Sequence, residues 1–140
     1  MPTANVKWAG GEEFTSTSPS GHTVRFDADR KHSAAPGPME MLLSALGACS
    51  LVDVVLILGK KRQNLTSLEV DVTGERAETT PAVWKKIDMV YRLAGELDDK
   101  AVRDSIELSQ NKYCSVAAML GKTAEITYRY EISPAAVSTR

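Results

Sequence analysis

The longest apolar stretch of the chain covers residues 36–63 and predicts a buried central helix. Within residues 41–58 only Ser44, Ser50 and Asp53 interrupt a run of apolar or small side chains. Prolines at the start of the stretch and basic residues at its end fit the two ends of a helix. Because a helix without a polar face must be covered on nearly every side, we expect a sheet on one flank and another element on the opposite flank.

The same stretch is just long enough to span a membrane, which is the alternative interpretation. Asp53 argues against it, since a carboxylate in the middle of a bilayer costs roughly 3 kcal/mol on insertion scales. The rest of the sequence has the strand and helix patterns of a soluble domain. We therefore predict a core helix and expect no membrane contact.

Alternating apolar and polar residues predict strands on both sides of this helix. Gly10 and Gly11 are the predicted turn of the first hairpin, and Pro81 lies in the predicted turn of a second, longer antiparallel hairpin. The alternating segments are residues 6–14, 23–27, 68–72 and 87–93.

The last third of the chain predicts two helices and a strand. Asp98 or Asp99 can cap the first helix, a break follows near residues 111–113, and Gly121 ends a short helix over residues 114–120. Residues 124–132 alternate as a final strand, and we expect the tail after Pro134 to fray. The order of strands, helix, strands, helices and strand is typical of an α+β fold, in one domain over residues 1–140.

Charge and targeting signals narrow the function classes. The 17 basic and 18 acidic residues give a net charge of -1, so the sequence does not favour a nucleic-acid partner. The N-terminus lacks the apolar segment of a signal peptide, and we expect a cytoplasmic location. Cysteines normally stay reduced there, so a disulfide between them would be catalytic or redox-sensing.

The two cysteines carry the candidate chemistry. Cys49 and Cys114 stand 65 positions apart, which fits neither a CxxC redox motif nor a zinc ribbon. His22 and His32 do not complete a metal-ligand spacing and are interpreted as loop histidines, so no metal site is predicted. Cys114 begins a short helix, where free backbone N–H groups favour a thiolate, so this position predicts that Cys114 is the more acidic thiol.

Cys49 lies in the middle of a helix and would need a neighbouring cation to be activated. Arg25 and Arg30 are the two candidates, and Glu40 could orient either one. Glu40 and Cys49 are nine residues apart on one helix, about 13 Å along its axis, so they cannot share a site within one chain.

Two antiparallel copies of the helix would solve this geometric problem. A two-fold axis between Ser44 and Ala45 sets residue 40 of one chain level with residue 49 of the other, and predicts a homodimer. Small side chains at this midpoint would let the helices approach closely. Alternatively, these small residues face the chain's own sheet. They are Ser44, Ala45, Gly47 and Ala48.

Two motifs resemble those of a known family. Residues 38–50, Pro-Met-Glu-Met-Leu-Leu-Ser-Ala-Leu-Gly-Ala-Cys-Ser, resemble the central-helix motif of the OsmC/Ohr family. Residues 113–117, Tyr-Cys-Ser-Val-Ala, resemble its second-cysteine motif. The order of strands and helices agrees over nearly the whole chain, which is similar to the YhfA-type branch of that family.

The resemblance implies a fold and a reaction. The fold would be an intertwined homodimer with antiparallel sheets wrapped around a long central helix. The reaction would be reduction of organic hydroperoxides, with Cys49 attacking the peroxide and Cys114 resolving the product as a disulfide. An arginine, Arg25 or Arg30, held by Glu40 would activate Cys49. An external dithiol would act as reductant, and no cofactor is required.

Two positions depart from the family pattern and motivate a second hypothesis. Family peroxidases commonly place the glutamate directly after the proline, where this chain has Met39, so that Glu40 sits one step further on. They also often carry an aromatic residue after the cysteine, where this chain has Ser50. The alternative is a redox-sensing or small-molecule-binding dimer without turnover, and a purely structural domain is a third hypothesis.

Overall fold

A computed structural model describes residues 1–135 of the chain. The predicted fraying after Pro134 therefore falls mainly on residues 136–140, which lie outside the described residues. The chain divides into two compact units, residues 1–42 and the remainder from Leu43 on. Helices and strands occur in the order that the sequence predicted, and the fold class is α+β.

The first unit contains a three-stranded antiparallel sheet. Its strands are β1 (Asn5–Trp8), β2 (Glu13–Thr17) and β3 (Thr23–Asp27), paired in that order. Gly10 and Gly11 have positive φ angles of 102° and 55°, which glycine adopts without steric cost, so they form the turn between β1 and β2. The predicted first hairpin and the strand after it are confirmed.

The second unit contains a larger sheet with the order β4-β5-β6. β4 (Asn64–Arg76) and β5 (Trp84–Glu96) form the predicted long antiparallel hairpin, and β6 (Glu125–Ser133) lies parallel to β5. A parallel pair needs a long crossover connection, and here the helical residues 99–120 supply it. The sequence pattern predicted β6 as a strand, but the expectation of antiparallel sheets is corrected here, because β6 lies parallel to β5.

The crossover consists of three consecutive helical segments. α2 (Asp99–Leu108) begins at Asp98, whose carboxylate accepts a hydrogen bond of 3.1 Å from the Ala101 backbone N–H, as predicted for one of the two candidate caps. A π-helical segment, Ser109–Tyr113, occupies the predicted break. α3 (Ser115–Leu120) follows, with Cys114 as its N-cap. Segments of π-helix are rare, and many occur at functional sites.

The central helix, α1 (Pro38–Lys60), packs one face against the sheet of the second unit. A Cβ added to Gly47 would lie 3.3 Å from methyl groups of both Val70 and Val72 on β4, so the glycine permits a close approach. This face carries the buried residues Leu46, Gly47, Ser50, Val54 and Leu58. The predicted sheet on one flank of the helix is therefore present.

The opposite face of α1 is apolar but exposed in the single chain. Val52, Val55 and Leu56 expose 55%, 48% and 59% of their surface. Ala45 and Ala48 extend this exposed face toward the N-terminus of the helix. We expected Gly47 to lie at the dimer contact together with Ser44, Ala45 and Ala48. This expectation is corrected for Gly47, which faces β4.

Length and composition alone would allow α1, the one such helix in residues 1–135, to cross a membrane. These two properties are shared by core helices of soluble proteins. The two polar residues Ser50 and Asp53, which lie three positions apart and so on one side of α1, both hydrogen-bond within the protein.

Candidate active site

The fold brings Cys49 and Cys114 together. Cys49 is half-buried on α1, whereas Cys114 is buried with only 3% of its surface exposed. The two side chains are close enough to interact, since the Cys49 side chain is one of the neighbours that raise the pKa of the Cys114 thiol. Two thiols that are far apart in sequence thus form one site within the second unit, and both are free in this structure.

The local fold around Cys114 fixes the position of its sulfur. Its backbone N–H donates to the Ser109 carbonyl at 2.8 Å, which ends the π-helical segment. Its Sγ accepts a hydrogen bond from the Ala117 backbone N–H at 3.4 Å, in the manner of a helix N-cap. Cys114 is therefore held by the segments before and after it.

Burial determines the acidity of Cys114. Removal from water raises the pKa of the Cys114 thiol from its ordinary value of 9.0 to about 11, while the Ala117 N–H lowers it and the neighbouring Cys49 side chain raises it. Our expectation that the helix start would favour a thiolate at Cys114 is corrected by this shift. The reason is that desolvation penalises the charged form more than the helix terminus favours it.

The predicted activating residues lie in the first unit. Arg25 on β3 is exposed and forms an ion pair of 3.1 Å with Glu13 on β2. Arg30 is exposed in the loop that follows β3. Glu40, in the first turn of α1, accepts a hydrogen bond of 2.8 Å from the Gly37 backbone N–H. Arg25 and Glu40 are thus engaged with different partners within this unit.

A buried hydrogen-bond network beside the cysteines was not predicted from the sequence. The Ser50 hydroxyl contacts the Tyr91 hydroxyl and, at 2.8 Å, the Ser109 hydroxyl. Ser109 donates to the Asp53 carboxylate at 2.9 Å, and the Gln110 amide donates to the Tyr91 hydroxyl at 2.6 Å. Ser50 and Asp53 were visible as the polar interruptions of an apolar helix. Nothing in the alternating pattern of β5 distinguishes Tyr91 from a core residue.

The buried network also changes the pKa of the Tyr91 hydroxyl. Burial raises the pKa of the Tyr91 hydroxyl, and its hydrogen bonds with Ser50 and Gln110 oppose this shift in part. The Cys114 thiol is near enough to raise the pKa of Tyr91 further when it is ionised. Tyr91 therefore stays protonated and acts as a hydrogen-bond donor next to the thiol pair.

The histidines occupy the loops that the sequence indicated. His22 lies in the turn between β2 and β3, and its Nδ1 contacts the Ser20 hydroxyl at 2.9 Å. His32 has a positive φ angle of 49° and bonds the Asp27 carbonyl through Nδ1 at 2.6 Å. Across residues 1–135 no group of histidine, cysteine or carboxylate side chains is arranged to hold a metal ion.

Comparisons with known proteins agree with the fold. The family model described as OsmC-like protein matches residues 30–129. Protein YhfA of Escherichia coli K12 is 45% identical over 130 residues, covering 92% of this chain and 96% of YhfA.

Solved structures share the same fold at low sequence identity. An OsmC-like protein from Mycoplasma pneumoniae superposes with a TM-score of 0.82 at 21% identity, covering 94% of this chain and 96% of that one. A Legionella pneumophila protein described as organic hydroperoxide resistance protein OsmC superposes with a TM-score of 0.71 at 12% identity, covering 94% and 96%. From the family match and the identity to YhfA, we conclude that the chain belongs to the OsmC-like protein family.

Proposed function

We propose that the protein is a thiol-dependent peroxidase that reduces organic hydroperoxides. The observation that carries the proposal is the interaction of the Cys49 and Cys114 side chains within one site, with Cys114 buried and its pKa raised to about 11. At neutral pH Cys114 keeps its proton and can donate it to Cys49. The half-buried Cys49 is then the sulfur available for attack, because the thiolate and not the thiol is the nucleophile.

The proposed cycle has three balanced steps. The Cys49 thiolate attacks the terminal oxygen of the hydroperoxide, the O–O bond breaks, and an alkoxide leaves and takes up a proton to give the alcohol. Cys49 is then a sulfenic acid, which condenses with the Cys114 thiol to form a disulfide and one water molecule. An external dithiol reduces this disulfide by exchange and is itself oxidised to its disulfide. No cofactor enters the cycle.

The substrate class rests on the family and on the apolar surface of α1. Distant structural relatives include proteins described as organic hydroperoxide resistance proteins, such as the one from Legionella pneumophila. Most side chains of α1 around Cys49 are apolar. Such surroundings suit an alkyl hydroperoxide better than hydrogen peroxide. The reaction requires reduced thiols, which fits the proposed cytoplasmic location.

We propose that the working form is a homodimer, built around the exposed face of α1. An apolar helix face without a partner in its own chain is typical of an interface. An antiparallel pair with its axis between Ser44 and Ala45 would bring Glu40 of one chain level with Cys49 of the other. Arg25 or Arg30, oriented by Glu40, would then stabilise the Cys49 thiolate. In the single chain Arg25 pairs with Glu13 at 3.1 Å.

Steady-state consumption of cumene hydroperoxide, with dithiothreitol or a lipoyl dithiol as reductant, tests the proposal. We expect multiple turnovers in the parent protein and none in Cys49→Ser. Consumption of one equivalent of peroxide without turnover would replace the enzyme by the redox-sensing alternative. Unreactive thiols under the same conditions would leave only a binding or structural role.

A further inference from the structure

The buried network beside the cysteines has one consistent direction of hydrogen bonding. The series of hydrogen bonds ends at Asp53, whose carboxylate accepts a hydrogen bond from the Ser109 hydroxyl at 2.9 Å. Since each hydroxyl donates only once, the hydrogen between the two serines belongs to Ser50, and that between Ser50 and Tyr91 belongs to Tyr91. The series begins at Gln110, whose amide N–H donates to the Tyr91 hydroxyl at 2.6 Å.

This network is attached to both cysteines through the backbone. Ser50 directly follows Cys49 on α1, and Ser109 opens the π-helical segment that leads to Cys114. The carbonyl of Ser109 accepts the Cys114 backbone N–H at 2.8 Å, and its hydroxyl bonds Ser50. Cys49 is therefore connected to Cys114 through the contact between the Ser50 and Ser109 hydroxyls, and both serine side chains are fully buried.

We propose that Tyr91, Ser50, Ser109 and Asp53 are positioning residues that hold the Cys114 thiol within bonding range of Cys49. This inference rests on the proposed function. The step that it governs is the condensation of the Cys49 sulfenic acid with the Cys114 thiol, which forms the S–S bond and releases water. The network thereby decides whether oxidised Cys49 is captured as a disulfide or is oxidised again by a second peroxide to the sulfinic acid.

The geometry of a disulfide explains why we expect the loss of one hydrogen bond in the network to slow disulfide formation strongly. A disulfide requires Cα atoms roughly 4.4–6.8 Å apart with the Cβ atoms turned toward each other. A π-helical segment is irregular, and Ser109 ties it to the rigid helix α1. When this tie is lost, the segment samples positions in which the sulfurs do not meet, and the effective concentration of one thiol at the other falls.

The first experiment measures how oxidised Cys49 partitions. Tyr91→Phe removes one hydroxyl from the network and keeps the ring, and Ser50→Ala removes the central link. Each protein is treated with a series of cumene hydroperoxide concentrations, and mass spectrometry gives the ratio of disulfide to sulfinic acid. We expect about a tenfold lower ratio in both variants, while the rate of the first oxidation stays close to that of the parent.

Two controls separate positioning from general loss of stability. Tyr130→Phe removes a tyrosine hydroxyl on β6 that donates to Asp99 at 2.9 Å, outside the network. Ile87→Val loosens the buried core of the strand that carries Tyr91, without touching the network. We expect the parental ratio in both controls, even where the melting temperature falls as far as in Tyr91→Phe. If Ser50→Ala fails to fold, Tyr91→Phe carries the test alone.

A second measurement does not depend on peroxidase activity. Equilibration with reduced and oxidised glutathione gives the stability of the Cys49–Cys114 disulfide, and we expect it to be tenfold lower in Tyr91→Phe, equivalent to about 30 mV. If the parent does not react with peroxide but this equilibrium shifts, the peroxidase fails and the positioning role stands. If the parent turns over and neither the ratio nor the equilibrium changes in the two variants, the positioning role is overturned.

Discussion

The two cysteines meet in one site but occupy opposite kinds of environment. Cys114 caps a helix, accepts a backbone N–H bond and is nevertheless a weak acid, with burial raising its pKa to about 11. Cys49 lies in mid-helix without such a cap and keeps part of its surface accessible. The comparison shows that a position at a helix start does not by itself make a thiol acidic when the thiol is buried.

The sizes of the two effects explain why burial outweighs the helix terminus in setting the pKa of Cys114. A charge near a helix terminus gains about 0.3–1 kcal/mol at an exposed position, which is less than one pKa unit of about 1.4 kcal/mol. The pKa of Cys114 moves in the opposite direction, from 9.0 to about 11. Desolvation is thus the larger effect, and it suits a thiol that must stay protonated until it condenses with a sulfenic acid.

The largest effect that we expect comes from removing Cys114. In Cys114→Ser the sulfenic acid on Cys49 has no resolving thiol, so excess peroxide should convert nearly all of it to sulfinic acid within a few turnovers. Intact-mass measurement detects this as a gain of two oxygen atoms. Retention of a reducible protein through many turnovers would show that Cys114 does not resolve Cys49.

The second prediction concerns the pH dependence of Cys114. A pKa of about 11 leaves roughly 100-fold less thiolate at pH 8 than the ordinary value of 9.0 would. In Cys49→Ser, which leaves Cys114 as the single thiol, alkylation by iodoacetamide should therefore be slow at pH 8 and should rise steeply toward pH 11. A half-maximal rate below pH 9 would contradict the dominant role of burial.

The same raised pKa predicts how stability changes with pH. Since the folded protein holds the Cys114 proton more tightly than the unfolded chain does, its stabilising contribution is complete below pH 9 and is lost as the pH rises toward 11. Urea unfolding should show the parent losing stability over this window relative to Cys114→Ser. Parallel pH profiles of the two proteins would count against a buried, protonated thiol.

A further prediction concerns the exposed face of α1 and how each cysteine responds when the proposed dimer is weakened. Ala45→Leu should weaken the proposed dimer by about 1–3 kcal/mol, because it overpacks a close helix contact. Sedimentation should show about 30 kDa for the parent, twice the 15.2 kDa chain, and a smaller value for the variant at the same concentration. Reactivity of Cys49 should fall with dissociation, whereas alkylation of Cys114 should not change. A parent that sediments as a stable monomer would contradict the dimer.

The smallest expected effect concerns the proposed arginine. Arg25→Ala, or Arg30→Ala if Arg25 has no effect, should slow the first oxidation by about threefold to tenfold, because the Cys49 thiolate loses a stabilising cation. Stopped-flow measurement of the first step gives this rate directly. Because Arg25 pairs with Glu13, Glu13→Gln serves as a control that removes the partner and keeps the cation. Equal rates in all four proteins would remove an arginine from the proposed mechanism.

Much of the fold follows from local patterns in the sequence. Alternation identified β4 and β5, an aspartate marked the start of α2, and the long apolar run of α1 predicted the sheet on one flank. The parallel pairing of β5 and β6 did not follow, because strand direction depends on the path of the crossover and not on the pattern of side chains.

The site was predicted less completely than the fold. Both cysteines were identified, but their contact and the acidity of Cys114 depend on burial, which arises only when α1, β5 and the π-helical segment pack together. Ser50 and Asp53 were visible as polar interruptions of an apolar helix. Their partners Tyr91 and Ser109 lie 41 and 56 positions away, beyond the range of any local pattern.

The order of oxidation is the most direct test of the proposed mechanism. Cys49→Ser and Cys114→Ser are each exposed to a brief pulse of cumene hydroperoxide at less than one equivalent, with a sulfenic-acid trap present, and the labelled sulfur is identified by mass spectrometry. We predict rapid labelling of Cys49 in Cys114→Ser and almost none of Cys114 in Cys49→Ser. Rapid labelling of Cys114 in the absence of Cys49 would contradict the proposed mechanism and reverse the roles of the two thiols.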